Sequence, residues 1–210
     1  MIISFIGMSG TGKSAWSNKL EKFKGFKRFS IDELIEKELE PELKALNYRG
    51  TSGLSQWLGQ PYDKRYAENS RRYLELEAKT LSASLDEINR LGGKTDAVID
   101  TTGSVVYLPV GLLKILKSRA RVVYLESAAS RLKEMIEKYT ADPKPVIWGE
   151  IYRPLPGETN DETLTRCYPL LLKYRIKLYE KLADVTIDYF TRKRKGFSVE
   201  ELLWLIGLDN

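Results

Sequence analysis

Gly7-Met8-Ser9-Gly10-Thr11-Gly12-Lys13-Ser14 fits the pattern G-x-x-x-x-G-K-[ST] at every fixed position. Each residue type there has its own chemical use. Glycines let the backbone curl until its N–H groups converge on an anion. A helix starting behind the loop adds the free amides of its first turn. Lys13 is placed to reach the β- and γ-phosphates of a nucleotide, and Ser14 to offer its hydroxyl to Mg²⁺. The phosphate contacts expected on this reading are Gly7, Ser9, Gly10, Thr11, Gly12, Lys13, Ser14 and Ala15. The plainer reading, a glycine-rich turn between strand and helix, is disfavoured by the complete match. It is also disfavoured by the apolar strand pattern Ile2–Ile6 before the loop and the helical pattern of Ala15, Leu20 and Phe23 after it. Asp100 ends the apolar run Ala97-Val98-Ile99 and is a second candidate for the metal, as the carboxylate that holds its water shell. A strand ending in Asp at an ordinary turn is the competing account.

The rest of the composition narrows the chemistry. The chain has 210 residues, one cysteine (Cys167) and no histidine. No intrachain disulfide can form, and no Ser-His-Asp triad, Cys-His pair or histidine general base is available. Catalysis must rest on carboxylates, lysine, arginine, hydroxyls, backbone amides or a bound metal ion. The net charge of +5 suits an anionic partner, although a basic surface alone explains it equally well. No apolar run reaches membrane-spanning length, and the N-terminus has no signal-peptide pattern, so a cytoplasmic protein with no membrane partner is expected.

The elements that must position the loop are legible as alternating patterns. Candidate strands are Ile2–Ile6, Lys27–Ile31, Ala97–Thr101, Arg121–Leu125 and Val185–Asp188. They are short and rich in β-branched and aromatic residues, as doubly covered parallel strands are. Helical spacing runs through Leu74, Ala78, Leu81, Leu85 and Ile88 up to Gly92-Gly93. It also runs behind Pro109, through Leu132 to Tyr139, and behind the capping pair Ser198 and Glu201. The alternation predicts an α/β fold: a central five-stranded parallel sheet with helices on both faces. Two stretches break the rhythm, Pro41–Tyr66 and Asp142–Asp161, both rich in glycine and proline. Long irregular segments of this kind are usually lids or binding loops.

Further segments resemble the shikimate-kinase family of small P-loop kinases, in family order and over most of the chain. Phe29-Ser30-Ile31-Asp32-Glu33-Leu34-Ile35-Glu36 is similar to F-x-D-x-D-x-x-I-E. Glu68 to Glu75 is similar to E-x-x-F-R-x-x-E, and Val98 to Ser104 falls at the family's glycine triplet. Arg153-Pro154-Leu155 resembles the lid R-P-L, and Arg175 to Tyr179 resembles R-x-x-L-Y with a trailing A-D-x-x-x-D. The resemblance implies the P-loop nucleoside-triphosphate hydrolase fold in one domain, residues 1–210. An acceptor-binding subdomain would occupy residues 33–80 and a lid residues 139–161. It implies Asp32 facing the substrate hydroxyl, Arg72 and Arg175 clamping a substrate carboxylate, Gly103 on the pocket floor and Arg153 on the ATP phosphates. Lys144 is a rival lid cation.

The departures lie on the acceptor side. Ser30 replaces the family's first Asp, only Gly103 remains of the glycine triplet, and the stretch from Asp32 to Arg72 is long. They count against shikimate itself and leave phosphoryl transfer in place. The expected activity is therefore transfer of the γ-phosphoryl group of ATP, with Mg²⁺, to a hydroxyl of a small acidic or polyhydroxylated acceptor. Lys13, Asp32 and Arg153 would be catalytic, Asp32, Arg72, Gly103 and Arg175 would bind the acceptor, and Ser14 and Asp100 would face the metal. Asp32 reads equally well as a helix N-cap, and both arginines have a solvated-face reading. Two alternatives remain open. One is a nucleoside, nucleotide or nucleic-acid-end kinase, favoured by the basic run Arg192–Lys195, although nucleic acid is the less favoured partner. The other is a non-catalytic ATP-binding switch. A monomer or small homo-oligomer is expected.

Overall fold

Strand β1 (Ile2–Ile6) sends Ile3 and Phe5 to one buried face and Ile6 to the other. A strand apolar on both sides must be covered on both. In the computed structural model, which describes residues 1–141 and 144–208, β1 is followed by α1 (Lys13–Lys24), β2 (Lys27–Ser30) and α2 (Ile31–Glu38). Helices α3 (Glu40–Ala45), α4 (Gly50–Leu58) and α5 (Tyr66–Arg90) come next, then β3 (Ala97–Asp100), α6 (Val110–Arg119) and β4 (Arg121–Leu125). The chain continues through α7 (Leu132–Ala141), α8 (Asn160–Leu182), β5 (Val185–Ile187), α9 (Tyr189–Lys193) and α10 (Val199–Leu205).

The sheet is parallel throughout, in the order β2-β3-β1-β4-β5. Helices α1 and α10 cover one face, where Trp16, Leu20 and Leu202 pack on Ile3 and Phe5. Helices α2, α5, α6 and α8 contribute Ile35, Leu81, Leu116 and Leu171 to the larger core on the other. The fold is the expected α/β P-loop architecture. With β1 central, the C-terminal ends of β1 and β3 open onto the crevice where ligands bind in such sheets. Register pairs Phe5 with Asp100 and Ser30 with Asp100, so the loop after β1 and the ends of β2 and β3 share one edge.

Three expectations need correction. Helix α2 starts at Ile31, not Glu33, because Ile31 and Ile35 are both buried one turn apart. Asp32 therefore lies inside the first turn and is not the N-cap, which is Ser30. The stretch 41–66 is mostly helical: Leu43, Leu54, Trp57 and Leu58 are buried, so α3 and α4 add to the core. Val146, Ile147 and Trp148 are buried as well, Trp148 completely and against Tyr139, Tyr152 and Tyr168. That part of the expected lid is core; its residues 142 and 143 lie outside the described residues.

Candidate active site

The loop after β1 is built as its sequence demands. Gly7 has φ 139°, and a Cβ there would come within 2.7 Å of the Leu125 carbonyl, so only glycine lets β1 turn this tightly. Helix α1 begins with no side-chain cap and no acid in its first turn, leaving its amides to an anion. The Lys13 ammonium bends back over the loop and donates to the carbonyls of Gly7 (2.9 Å) and Met8 (3.2 Å). Burial lowers its pKa, and Asp100 and Asp32 oppose that shift. A triphosphate would replace those carbonyl contacts with stronger, charge-assisted ones.

Asp32 faces this lysine from α2. Its Oδ1 accepts the hydroxyl of Tyr73 at 2.9 Å. Burial raises its pKa, with Lys13 and the Tyr73 hydroxyl pulling the other way. A carboxylate with a raised pKa is suited to take a proton near neutral pH. One turn beyond Tyr73 on α5, Glu77 is fully buried and accepts the hydroxyls of Thr102 (2.5 Å) and Ser104 (2.6 Å). Burial lifts its carboxyl to about 7, and the two hydroxyls moderate the shift. Reading the sequence passed over Glu77. Its signal was spacing, since it stands four residues after Tyr73 and four before Leu81, on the helix's buried stripe.

The two arginines expected to clamp a carboxylate are placed otherwise. Arg72 donates from Nη1 and Nη2 to the Glu42 carboxylate at 3.0 and 2.6 Å and lies over Trp57. Its guanidinium is spent on Glu42, and it lies beside, not on, the buried stripe of α5 that carries Tyr73 and Glu77. Arg175 does reach the site, but it is only 2% exposed. Its donors end on the carbonyls of Gly103 (3.0 Å) and Ile147 (2.6 Å) and on the Tyr107 hydroxyl (3.1 Å). Gly103 permits this approach: a Cβ there would stand 3.3 Å from Arg175 Nη1 and 3.6 Å from the Ser9 amide. Gly103 thus supports the loop and Arg175 from beneath.

On the metal side Ser14 is exposed at the first turn of α1, and Asp100 is buried at the end of β3. Asp100 is not alone: its Oδ2 lies 3.4 Å from Arg28 Nη2 and 3.4 Å from Ser17 Oγ. These residues fit a magnesium ion carried in with nucleotide oxygens, with Ser14 as direct ligand and Asp100 behind its waters.

A cavity of about 410 Å³ opens from Ser9, Gly10 and Thr11. Arg131, Lys144 and Tyr189 are among its walls, and the buried Ser127 hydroxyl, which has no hydrogen-bond partner among the described residues, lines it too. Arg153 is not in its walls. It is exposed and pairs with Glu150 at 3.3 Å, whereas Lys144 lines the cavity together with the phosphate loop. Arg192, the first residue of the basic run Arg192–Lys195, is buried and donates to the carbonyls of Thr11 (2.6 Å), Ile187 (3.2 Å) and Glu126. It braces the phosphate loop from behind. A single basic letter in a run of four basic residues gave no sign of this.

No protein-family model matches the chain. A curated shikimate kinase of Dictyoglomus turgidum is 23% identical over 187 residues, covering 89% of this chain and 86% of the relative. Among solved structures, the shikimate kinase of Acinetobacter baumannii in complex with shikimate aligns with a TM-score of 0.60 at 21% identity, over 98% of this chain and 92% of that one. The Aquifex aeolicus shikimate kinase aligns with a TM-score of 0.60 at 19% identity, over 99% and 96%. The chain is thus similar to shikimate kinases over most of its length, shares their fold, and carries a complete phosphate loop.

Proposed function

We propose that the protein is an ATP-dependent kinase that transfers the γ-phosphoryl group to a hydroxyl of a small polyhydroxylated acceptor. The observation that carries this reading is an intact phosphate loop whose Lys13 lies within electrostatic reach of the buried Asp32 carboxylate. The orphaned Ser127 hydroxyl and the cations of Arg131 and Lys144 in the cavity beside the loop support nucleotide binding.

ATP supplies the phosphoryl group, and Mg²⁺ neutralises charge on its phosphates. Loop amides and Lys13 hold the β- and γ-phosphates and stabilise charge on the equatorial oxygens. Asp32 orients the acceptor hydroxyl and takes its proton as the new O–P bond forms and ADP leaves. Tyr73 holds the Asp32 carboxylate in place. No histidine is needed. Residues 33–80 form the acceptor side on this reading, and Lys144 replaces Arg153 as the lid cation.

The test is ATP consumption with a panel of shikimate, sugars, sugar acids, nucleosides and 5′-hydroxyl oligonucleotides, with Lys13→Ala and Asp32→Asn as controls. An acceptor that raises turnover through Lys13 supports the reading. Turnover no higher than that of Lys13→Ala with every acceptor transfers support to the non-catalytic switch. The nucleic-acid-end alternative is weakened by the burial of Arg192, which removes one cation from the run that favoured it.

A further inference from the structure

We propose that the acceptor site selects an uncharged polyhydroxyl compound and discriminates against carboxylates. This rests on the kinase reading above. Three observations point the same way.

First, Arg72 already holds a carboxylate. Its Nη1 and Nη2 engage Oε2 and Oε1 of Glu42, and the Trp57 indole N–H donates to Oε2 as well, at 3.2 Å. An acidic acceptor would have to displace an internal carboxylate in bidentate geometry, exchanging like for like. Second, Arg175 is buried, with Nε on the Tyr107 hydroxyl, Nη1 on the Gly103 carbonyl and Nη2 on the Ile147 carbonyl. It contributes positive potential but no fork for an incoming ligand. Third, the cations near Asp32 are already engaged. Arg28 is held by Glu33 (2.8 Å) and Asp100 (3.4 Å), and the Lys13 ammonium is committed to the carbonyls of the phosphate loop. A carboxylate brought beside Asp32 meets like charge with no free partner, whereas a hydroxyl can donate to Asp32 at no electrostatic cost. The floor of the site is polar as well, with the Thr102 and Ser104 hydroxyls on either side of Gly103 held on the buried Glu77 carboxyl.

The experiment compares matched pairs: shikimate against the analogue with its carboxylate reduced to hydroxymethyl, and glucuronate against glucose. Binding is read by calorimetry with a non-hydrolysable ATP analogue present, and ATP consumption is read in parallel. The uncharged member of at least one pair is expected to bind about tenfold tighter or better. Glu42→Gln, which releases Arg72, is expected to narrow that gap without changing nucleotide affinity. Arg72→Ala is expected to leave the affinity of the acids unchanged. Tighter binding of the acids, a loss of acid affinity in Arg72→Ala, or no binding by any of the four compounds overturns the inference. Selective binding without Lys13-dependent turnover leaves the inference standing and removes the kinase reading instead.

Discussion

The Glu77 carboxylate accepts the Ser104 hydroxyl at 2.6 Å in a position with no solvent access, and it titrates near neutrality. Its folded pKa of about 7 lies above the ordinary 4.5, so between those values the folded protein holds a proton that the unfolded chain has released. Stability therefore falls as pH rises through that window and levels off above it. The contribution is about 3 kcal/mol for a shift of this size. Glu77→Gln, measured by urea unfolding from pH 5 to pH 8, is expected to flatten the profile and to gain most on wild type at pH 8. An unchanged pH slope would remove Glu77 as its cause.

Arg192 donates to the carbonyls of Thr11, Glu126 and Ile187. Arg192→Met keeps the bulk and removes every donor, leaving buried carbonyls unpaired at about 1–3 kcal/mol. The phosphate loop loosens as a result, and ATP affinity should fall about tenfold while acceptor affinity is unchanged. Calorimetry with ATP analogue and acceptor separately checks this; equal losses on both sides would indicate general destabilisation.

Gly103→Ala places a methyl 3.3 Å from Arg175 Nη1 and 3.6 Å from the Ser9 amide. Overpacking of this degree costs about 1 kcal/mol or more. Because both neighbours border the crevice, KM should rise for acceptor and ATP alike. An effect confined to thermal stability would place Gly103 outside the working site.

Tyr66 accepts the Trp148 backbone N–H at 2.7 Å and donates its own hydroxyl to the Val146 carbonyl at 2.9 Å. Tyr66→Phe strands both groups in the core, at a cost of about 1–3 kcal/mol. Hydrogen exchange should accelerate at the Trp148 amide well before it does in β1 or β4. Protection that survives the substitution would mean that packing alone holds the segment.

The sheet and the phosphate loop were readable in the letters because both are local. A five-residue apolar run fixes a strand, and eight consecutive residues build the anion nest. The acceptor side was not, because it depends on which side of a long helix faces inward. Helix α5 carries Arg72 and Tyr73 side by side, and a rotation of one residue exchanges a cation for a phenol at the site. Matching the segment to E-x-x-F-R-x-x-E selected Arg72, whereas packing selected Tyr73 and Glu77. Similarly, R-P-L pointed to Arg153 with Lys144 as a rival, and the letters did not choose between them; the fold puts Lys144 in the wall of the cavity that opens from the phosphate loop. Asp32 stayed in view through the resemblance of Phe29–Glu36 to F-x-D-x-D-x-x-I-E, although Ile31, read as the end of a strand, is the first residue of α2.

Gln60 and Tyr66 reach across to Tyr139, Val146 and Trp148 through hydrogen bonds of 2.7 to 2.9 Å. The two stretches that depart most from the sheet-and-helix rhythm therefore form one interlocked module. Neither can be transplanted alone. A chimera that imports residues 59–66 from a relative without the partner residues around 139–148 inherits half of a joint. Any redesign of the acceptor preference must exchange the two as a unit, as must any natural drift in it.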